Sequence, residues 1–197
     1  VCQKYQAAQQ KEPMVIRHTA ERPWQYIGVD VFHFRDLDYL VSVCYLSGWI
    51  EIERLPSKRV CDIVRILKAQ QSRFGLCEKI FTDNSPFNSA EFRSFAKDYG
   101  FEHVTSSPNF SALNGRAEAA VKFAKRLLQK PADSGQDAFI GLLMYRYTPN
   151  EAGLSPSDIM LGHKTRTLLP VAAKRLTTAT MVAASAAAYE SKLKQKL

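Results

Sequence analysis

Three short apolar runs follow one another between residues 26 and 55 before any helical period begins, and this order limits the fold more than any other feature. YIGVDVFHF (26–34) and DYLVSVCYL (38–46) are rich in Val, Tyr and Phe. WIEIERL (49–55) sets Trp49, Glu51 and Glu53 against Ile50 and Ile52. Alternation over so few residues reads as β-strand, and Ser47-Gly48 supplies a hairpin turn between the second and third runs. Helical periods then alternate with short strands. Val60, Ile63, Val64 and Leu67 recur at three- and four-residue steps, predicting a helix capped by Ser57 that runs to Phe74 and stops at Gly75. EKIFTD (78–83) reads as a fourth strand leading into a turn at Asn84-Ser85-Pro86. Phe92, Phe95, Ala96 and Tyr99 mark a helix over 89–99 that ends at Gly100, and FEHVTS (101–106) reads as a fifth strand.

After a loop-like segment over 107–115, RAEAAVKFAKRLLQK (116–130) predicts a helix ended by Pro131. Another helix is expected near 135–147, with Phe139, Leu142, Leu143 and Tyr147 as its apolar residues. TPNEAGLSPSD (148–158) reads as irregular, and the Ala-rich stretch 178–196 as helix. An antiparallel meander followed by strand–helix alternation implies an α/β fold with a mixed five-stranded sheet flanked by helices. Strand order of this kind matches the ribonuclease-H-like architecture while leaving other α/β folds open.

A chain of 197 residues with 46% hydrophobic content buries a substantial core and fits one domain plus an appendage. No run reaches the ~18 apolar residues of a membrane span, so no membrane role is expected. Cys2, Cys44, Cys61 and Cys77 are too dispersed for a secreted disulfide framework, which points to a reducing, intracellular compartment. The net charge of +8 is uneven. Residues 1–114 hold 14 Lys/Arg against 13 Asp/Glu, whereas residues 115–197 hold 13 against 6. A basic C-terminal portion suits a polyanion handled by one side of the molecule, although a solvated basic face gives the same count.

Three acids stand out by placement. Asp30 interrupts the first strand between Val29 and Val31, Asp83 ends the fourth, and Glu118 opens the helix after the loop. A charge inside a strand is expensive unless it is paired or ligates a cation. Carboxylates on rigid elements that meet at one point suit two-metal phosphoryl transfer, in which cations roughly 4 Å apart stabilise the attacking and leaving oxygens. Oxygen-only ligands suit Mg²⁺. A turn cap at Asp83 and dipole compensation by Glu118 explain the same residues without a metal. Lys122 and Lys125, four and seven residues after Glu118, share its helical face and suit phosphate contacts; an ordinary Glu–Lys helix pair fits too. Asn114 is placed to cap that helix.

The chain resembles the integrases of gypsy-class retrotransposons and, more distantly, of retroviruses. The likeness lies in PWQYIGVDVF, SGWIEIERLPSK, FTDNSP, GFEHVTSSP, LNGRAEAAVKFAKRLLQK, LLMYRYTPN and GLSPSDIMLG, with Asp83 standing 35 residues before Glu118. The resemblance implies a ribonuclease-H-like core in which Asp30, Asp83 and Glu118 hold two Mg²⁺ or Mn²⁺ ions. It implies 3′-end processing of the element's DNA followed by strand transfer into target DNA. Double-stranded DNA is the implied partner, contacted by Asn114, Lys122 and Lys125, with self-association into multimers and work in the nucleus. It also implies a division into a linker over 1–22, a catalytic core over 23–148 and a partly helical extension over 149–197. Cys2 matches the last ligand of an N-terminal zinc module of which the chain holds nothing else.

The match departs from the family at the turn after Asp83, where Ser85 stands in place of glycine and one residue is missing after Pro86. A turn that needs positive φ at Ser85 would cost on the order of 1 kcal/mol. Such changes favour an alternative: a catalytically impaired, integrase-derived module that binds DNA or protein. His18, His33, His103 and His163 show no ligand spacing and are expected in core or surface roles.

Overall fold

The computed structural model describes residues 20–105, 115–135 and 137–170. Five strands form one sheet in the order β3-β2-β1-β4-β5. β1 (Tyr26–Phe34), β2 (Leu37–Cys44) and β3 (Ile50–Leu55) are an antiparallel meander, and β4 (Lys79–Thr82) and β5 (Glu102–Thr105) add to the other side of β1 in parallel. The helices are α1 (Val60–Phe74), α2 (Ala90–Tyr99), α3 (Gly115–Ser134), α4 (Ala138–Tyr147) and α5 (Pro156–Leu161). This is the ribonuclease-H-like fold expected from the element order.

Arg35 and Asp36, both at positive φ, make the two-residue turn between β1 and β2. Two successive left-handed residues match the right-handed twist of the strands they join. Because the register pairs Val29 with Ser42 and Asp30 with Val41, alternate residues of β1 serve opposite layers. Ile27, Val29, Leu40 and Ile80 pack with Ile63 and Leu67 of α1 and Phe92 and Phe95 of α2. On the other face Phe32, Val41, Val43 and Ile50 meet Ala117, Ala120, Ala124 and Leu127 of α3 and Leu142 of α4.

β3 is an edge strand, and α4 closes it. The Tyr145 hydroxyl donates to the Gly48 carbonyl at 2.9 Å. Arg146 donates to the Ile50 carbonyl at 2.6 Å and to Glu51 at 2.8 Å, with its guanidinium 4.1 Å from the Trp49 ring. These donors occupy backbone acceptors that another strand could otherwise use.

Several local expectations are corrected. Ser57 does not cap α1: the N-cap is Arg59 without a side-chain bond, and the Ser57 hydroxyl instead donates to Asp62. Pro131 does not end α3, which continues to Ser134 before Gly135 takes positive φ. Proline removes its own N–H from the ladder and its ring crowds the carbonyl four residues back, so a helix that passes through it does so with a local distortion. Phe139 is 77% exposed in the first turn of α4, where its own amide donates to the Asp137 side chain that caps the helix. The stretch read as irregular contains α5, started by Ser155 and Asp158 in a reciprocal capping box with Pro156 at the first helical position. The helix expected over 178–196, and the segments holding Cys2, His18 and Asn114, lie outside the described residues. Among the described residues no helix is long and apolar enough to cross a membrane.

Candidate active site

Asp30 sits on β1 between Gly28 and Phe32, on the face turned toward α3. The parallel pairing of β1 with β4 runs as far as Gly28 opposite Phe81, and Asp83 follows two residues on, near enough for its charge to act on Asp30. α3 supplies Glu118 from its first turn. What brings that turn down onto β1 is the absence of side-chain bulk. A Cβ added at Gly28 would lie 3.3 Å from the Ala117 Cβ, 3.3 Å from Val43 Cγ1 and 3.0 Å from a ring carbon of Tyr45. Glycine inside a strand marks such a close approach.

Electrostatics tie the three acids together. The half-buried Asp30 carboxyl is pushed up from 3.8 to about 6, first by loss of hydration and further by the charges of Asp83 and Glu118. The Val31 amide, donating to Asp30 Oδ1 at 2.7 Å, and the Lys125 ammonium pull the other way. Carboxylates from the end of β4 and from α3, and one lysine of α3, therefore all act on the Asp30 carboxyl. Glu118, Lys122 and Lys125 are all exposed on α3. Lys125 Nζ stands 6.0 Å from the Phe32 ring, and the Arg116 guanidinium 5.5 Å from the Tyr45 ring, which stacks on Phe81 at 4.9 Å. Cations on both sides of the acids are suited to hold phosphates while the acids work between them.

The turn after β4 is built differently from the expectation. Ser85 is not among the described residues with positive φ, so the left-handed penalty anticipated for losing glycine is not incurred. Phe87 is fully buried and packs edge-on to Phe92 at 5.4 Å, anchoring the turn in the core. The Asn88 amide donates to the Asn84 carbonyl at 2.7 Å, and Ser89 caps α2 through the Phe92 amide. Asp83 itself is exposed.

Among the described residues no three His, Cys, Asp or Glu side chains stand close enough together to hold a metal ion as they are. The donor chemistry and the charge nonetheless fit a hard divalent cation. The three groups are all carboxylates, and a cation would relieve both the lost hydration of the Asp30 carboxyl and the charges of Asp83 and Glu118 that act on it.

Three residues behind the acids were not legible as functional. Gly28 carried a signal, a glycine two positions before an acid inside an apolar strand. Thr82 carried none. His103, expected in a core or surface role, packs 4.6 Å from the Phe92 ring, and its Nε2 lies 2.8 Å from Oγ1 of Thr82, the residue before Asp83. His33 pairs with Asp38, and His163 Nδ1 meets the Lys164 carbonyl.

No family model matches the chain. It is 30% identical over 179 residues to the Gag-Pol polyprotein of baboon endogenous virus (strain M7), across 82% of this chain. It is 29% identical over 177 residues to the Pol polyprotein of feline endogenous virus ECE1, again across 82% of this chain. The chain spans only 10% and 17% of the length of these two relatives. Among solved structures it is similar to a chain of the simian T-cell lymphotropic virus intasome in complex with a PP2A regulatory subunit, with a TM-score of 0.69, 20% identity, and coverage of 88% of this chain and 66% of that one. It is similar to the catalytic core domain of BIV integrase (TM-score 0.59, 20% identity, 70% of this chain and 94% of that one). It is also similar to the HTLV-2 integrase catalytic core domain in complex with magnesium (TM-score 0.58, 22% identity, 71% and 98%). These structural likenesses establish the fold.

Proposed function

We infer that this chain, with relatives among retroviral Pol polyproteins and the fold of integrase catalytic cores, belongs to the retroviral integrase superfamily and is a metal-dependent polynucleotidyl transferase. Its reactions are 3′-end processing of linear element DNA and strand transfer into target DNA. Descent from a gypsy-class element rests on the motif strings, above all TSSP followed by NGRAE. The observation that carries the enzymatic reading is the shared field at Asp30, where burial and two further carboxylates from separate elements hold one acid at about 6. Charge concentrated against hydration in this way marks a site built for a cation or a reacting group.

Asp30, Asp83 and Glu118 would hold the divalent ions, Mg²⁺ or Mn²⁺. Bound there, the ions would activate the attacking hydroxyl and stabilise the leaving oxygen. The chain's own residues position the DNA. Lys122 and Lys125, on the face of α3 that carries Glu118, engage backbone phosphates, and Asn114 joins them from the segment before that helix. Phosphates held on one rigid helix fix the scissile bond against Asp30 and Asp83 without reading sequence. Acting on two DNA ends calls for assembly into a multimer, and the reading places the work in the nucleus.

Strand transfer on a branched DNA substrate with Mn²⁺ tests this. The wild-type chain is expected to turn over, and Asp83→Asn combined with Glu118→Gln to abolish turnover. Activity that survives the double substitution would remove these acids from the mechanism. The second reading, an integrase-derived module that binds without cutting, is favoured by the absence of a closed three-acid group among the described residues. It predicts DNA binding with no carboxylate-dependent heat on Mg²⁺ titration.

A further inference from the structure

We propose that His103 and Thr82 are positioning residues, a half-buried relay that fixes the backbone at Asp83 and so aims its carboxylate at the site. The inference rests on the functional reading above for its consequence, though not for its geometry. Thr82, the last residue of β4, is fully buried, and its Oγ1 has two neighbours at 2.8 Å: the Asp83 carbonyl oxygen and His103 Nε2. A hydroxyl has one proton to give, and a carbonyl can only accept. If Thr82 gave its proton to the imidazole, two oxygens would face each other at 2.8 Å with no proton between them, a buried repulsion. The arrangement that satisfies every atom runs one way. His103 Nε2–H donates to Thr82 Oγ1, and Thr82 Oγ1–H donates to the Asp83 carbonyl.

The surroundings hold the donor in place. His103 pairs with Ile80 across β4 and β5, which turns its ring into the layer under α2. There it lies 4.6 Å from the Phe92 ring. Burial, with the nearby Arg93 charge, holds its imidazole below the ordinary value, so the ring is neutral at neutral pH with one donor nitrogen. Arg93 donates from Nη1 to Asn88 Oδ1 at 2.8 Å, and the Asn88 amide ties back to Asn84. The segment carrying Asp83 is thus pinned from behind by the relay and from in front by the Asn84–Asn88 bond. Asp83 is the one acid of the three that lies just beyond its element rather than within it, at the turn where Ser85 replaces the family's glycine. A carboxylate in that position takes its aim from the peptide it hangs on, and small displacements of a reacting group are costly.

Nuclear magnetic resonance of the isotopically labelled chain, without metal, reads the relay directly. Long-range ¹H–¹⁵N spectra are expected to show His103 protonated at Nε2 and bare at Nδ1 near neutral pH. Thr82→Val keeps the shape and loses the hydroxyl, whereas Thr82→Ser keeps the donor. The valine variant is expected to shift the Asp83 and Asn84 amide signals and to slow Mn²⁺-supported strand transfer about 10- to 100-fold through kcat, with KM for DNA unchanged. The serine variant is expected to retain most of the rate and the wild-type signals. A proton on Nδ1 rather than Nε2 would overturn the proposal, as would a valine variant that matches wild type in signals and rate. Should wild type itself fail to transfer strands, the functional reading falls while the spectra still decide the relay.

Discussion

The two faces of the sheet are built on opposite principles. Toward α1 and α2 the core is filled with large side chains, and Phe92 alone makes ring contacts with Phe87, Phe95, Phe101 and His103. Toward α3 the helix presents Ala117, Ala120 and Ala124 to a strand that presents Gly28 and Asp30. The first face gains stability from buried apolar area. The second gives up side-chain volume, and what it gains is proximity: a helix close enough for Glu118 and Lys125 to act on the Asp30 carboxyl. One layer holds the fold together, and the other brings charges together at a fixed distance.

That division can be broken by cutting each face in turn. Leu67→Ala, on the fully buried α1 side, is expected to cost about 2–5 kcal/mol in urea unfolding. The molecules that remain folded should transfer strands at the wild-type rate. Gly28→Ala should cost less, about 1–3 kcal/mol, since a methyl group must displace the Tyr45 ring and lift Ala117 by a few tenths of an ångström. Its activity should nevertheless fall much further than that of Leu67→Ala, because the lift separates Glu118 from Asp30. Equal rate losses per folded molecule in the two variants would mean that the faces are not separable in this way.

The same division explains what the sequence disclosed. Alternation and helical period are properties of one segment at a time, and they located every strand and most of the helices to within a few residues. Asp30 was visible because an acid inside the apolar sequence IGVDVF conflicts with its neighbours. The capping box of Ser155 and Asp158 was equally local and equally readable, but a preceding run of turn-forming residues masked it. Thr82 and His103 were opaque for a different reason. Their meeting depends on the parallel register of β4 and β5, strands separated by α2, and no spacing along the chain encodes it. That Ser85 does not take positive φ was similarly hidden, because its turn is anchored by Phe87 entering a core formed by distant residues.

The smallest expected effect concerns Asp30 itself, and it tests whether the α3 face was assembled at a cost to stability. The folded-state value of about 6 lies above the ordinary 3.8, so between about pH 4 and pH 6 the folded chain keeps a proton that the unfolded chain has lost. Stability contributed by this group is therefore greatest at the acid end of that window, falls as pH rises through it, and changes no further above it. For a half-buried group the loss is on the order of 1 kcal/mol once solvent screening is allowed for. Asp30→Asn should remove this component of the slope and leave the variant more stable than wild type at pH 7. Saturating Mn²⁺ at pH 7 should reverse the order, raising the Tm of wild type and leaving that of Asp30→Asn nearly unmoved, because a bound cation favours the ionised carboxylate. An unchanged slope in the variant would mean that the charge at Asp30 is not what the fold opposes. Equal Mn²⁺ stabilisation of both chains would place the cation elsewhere.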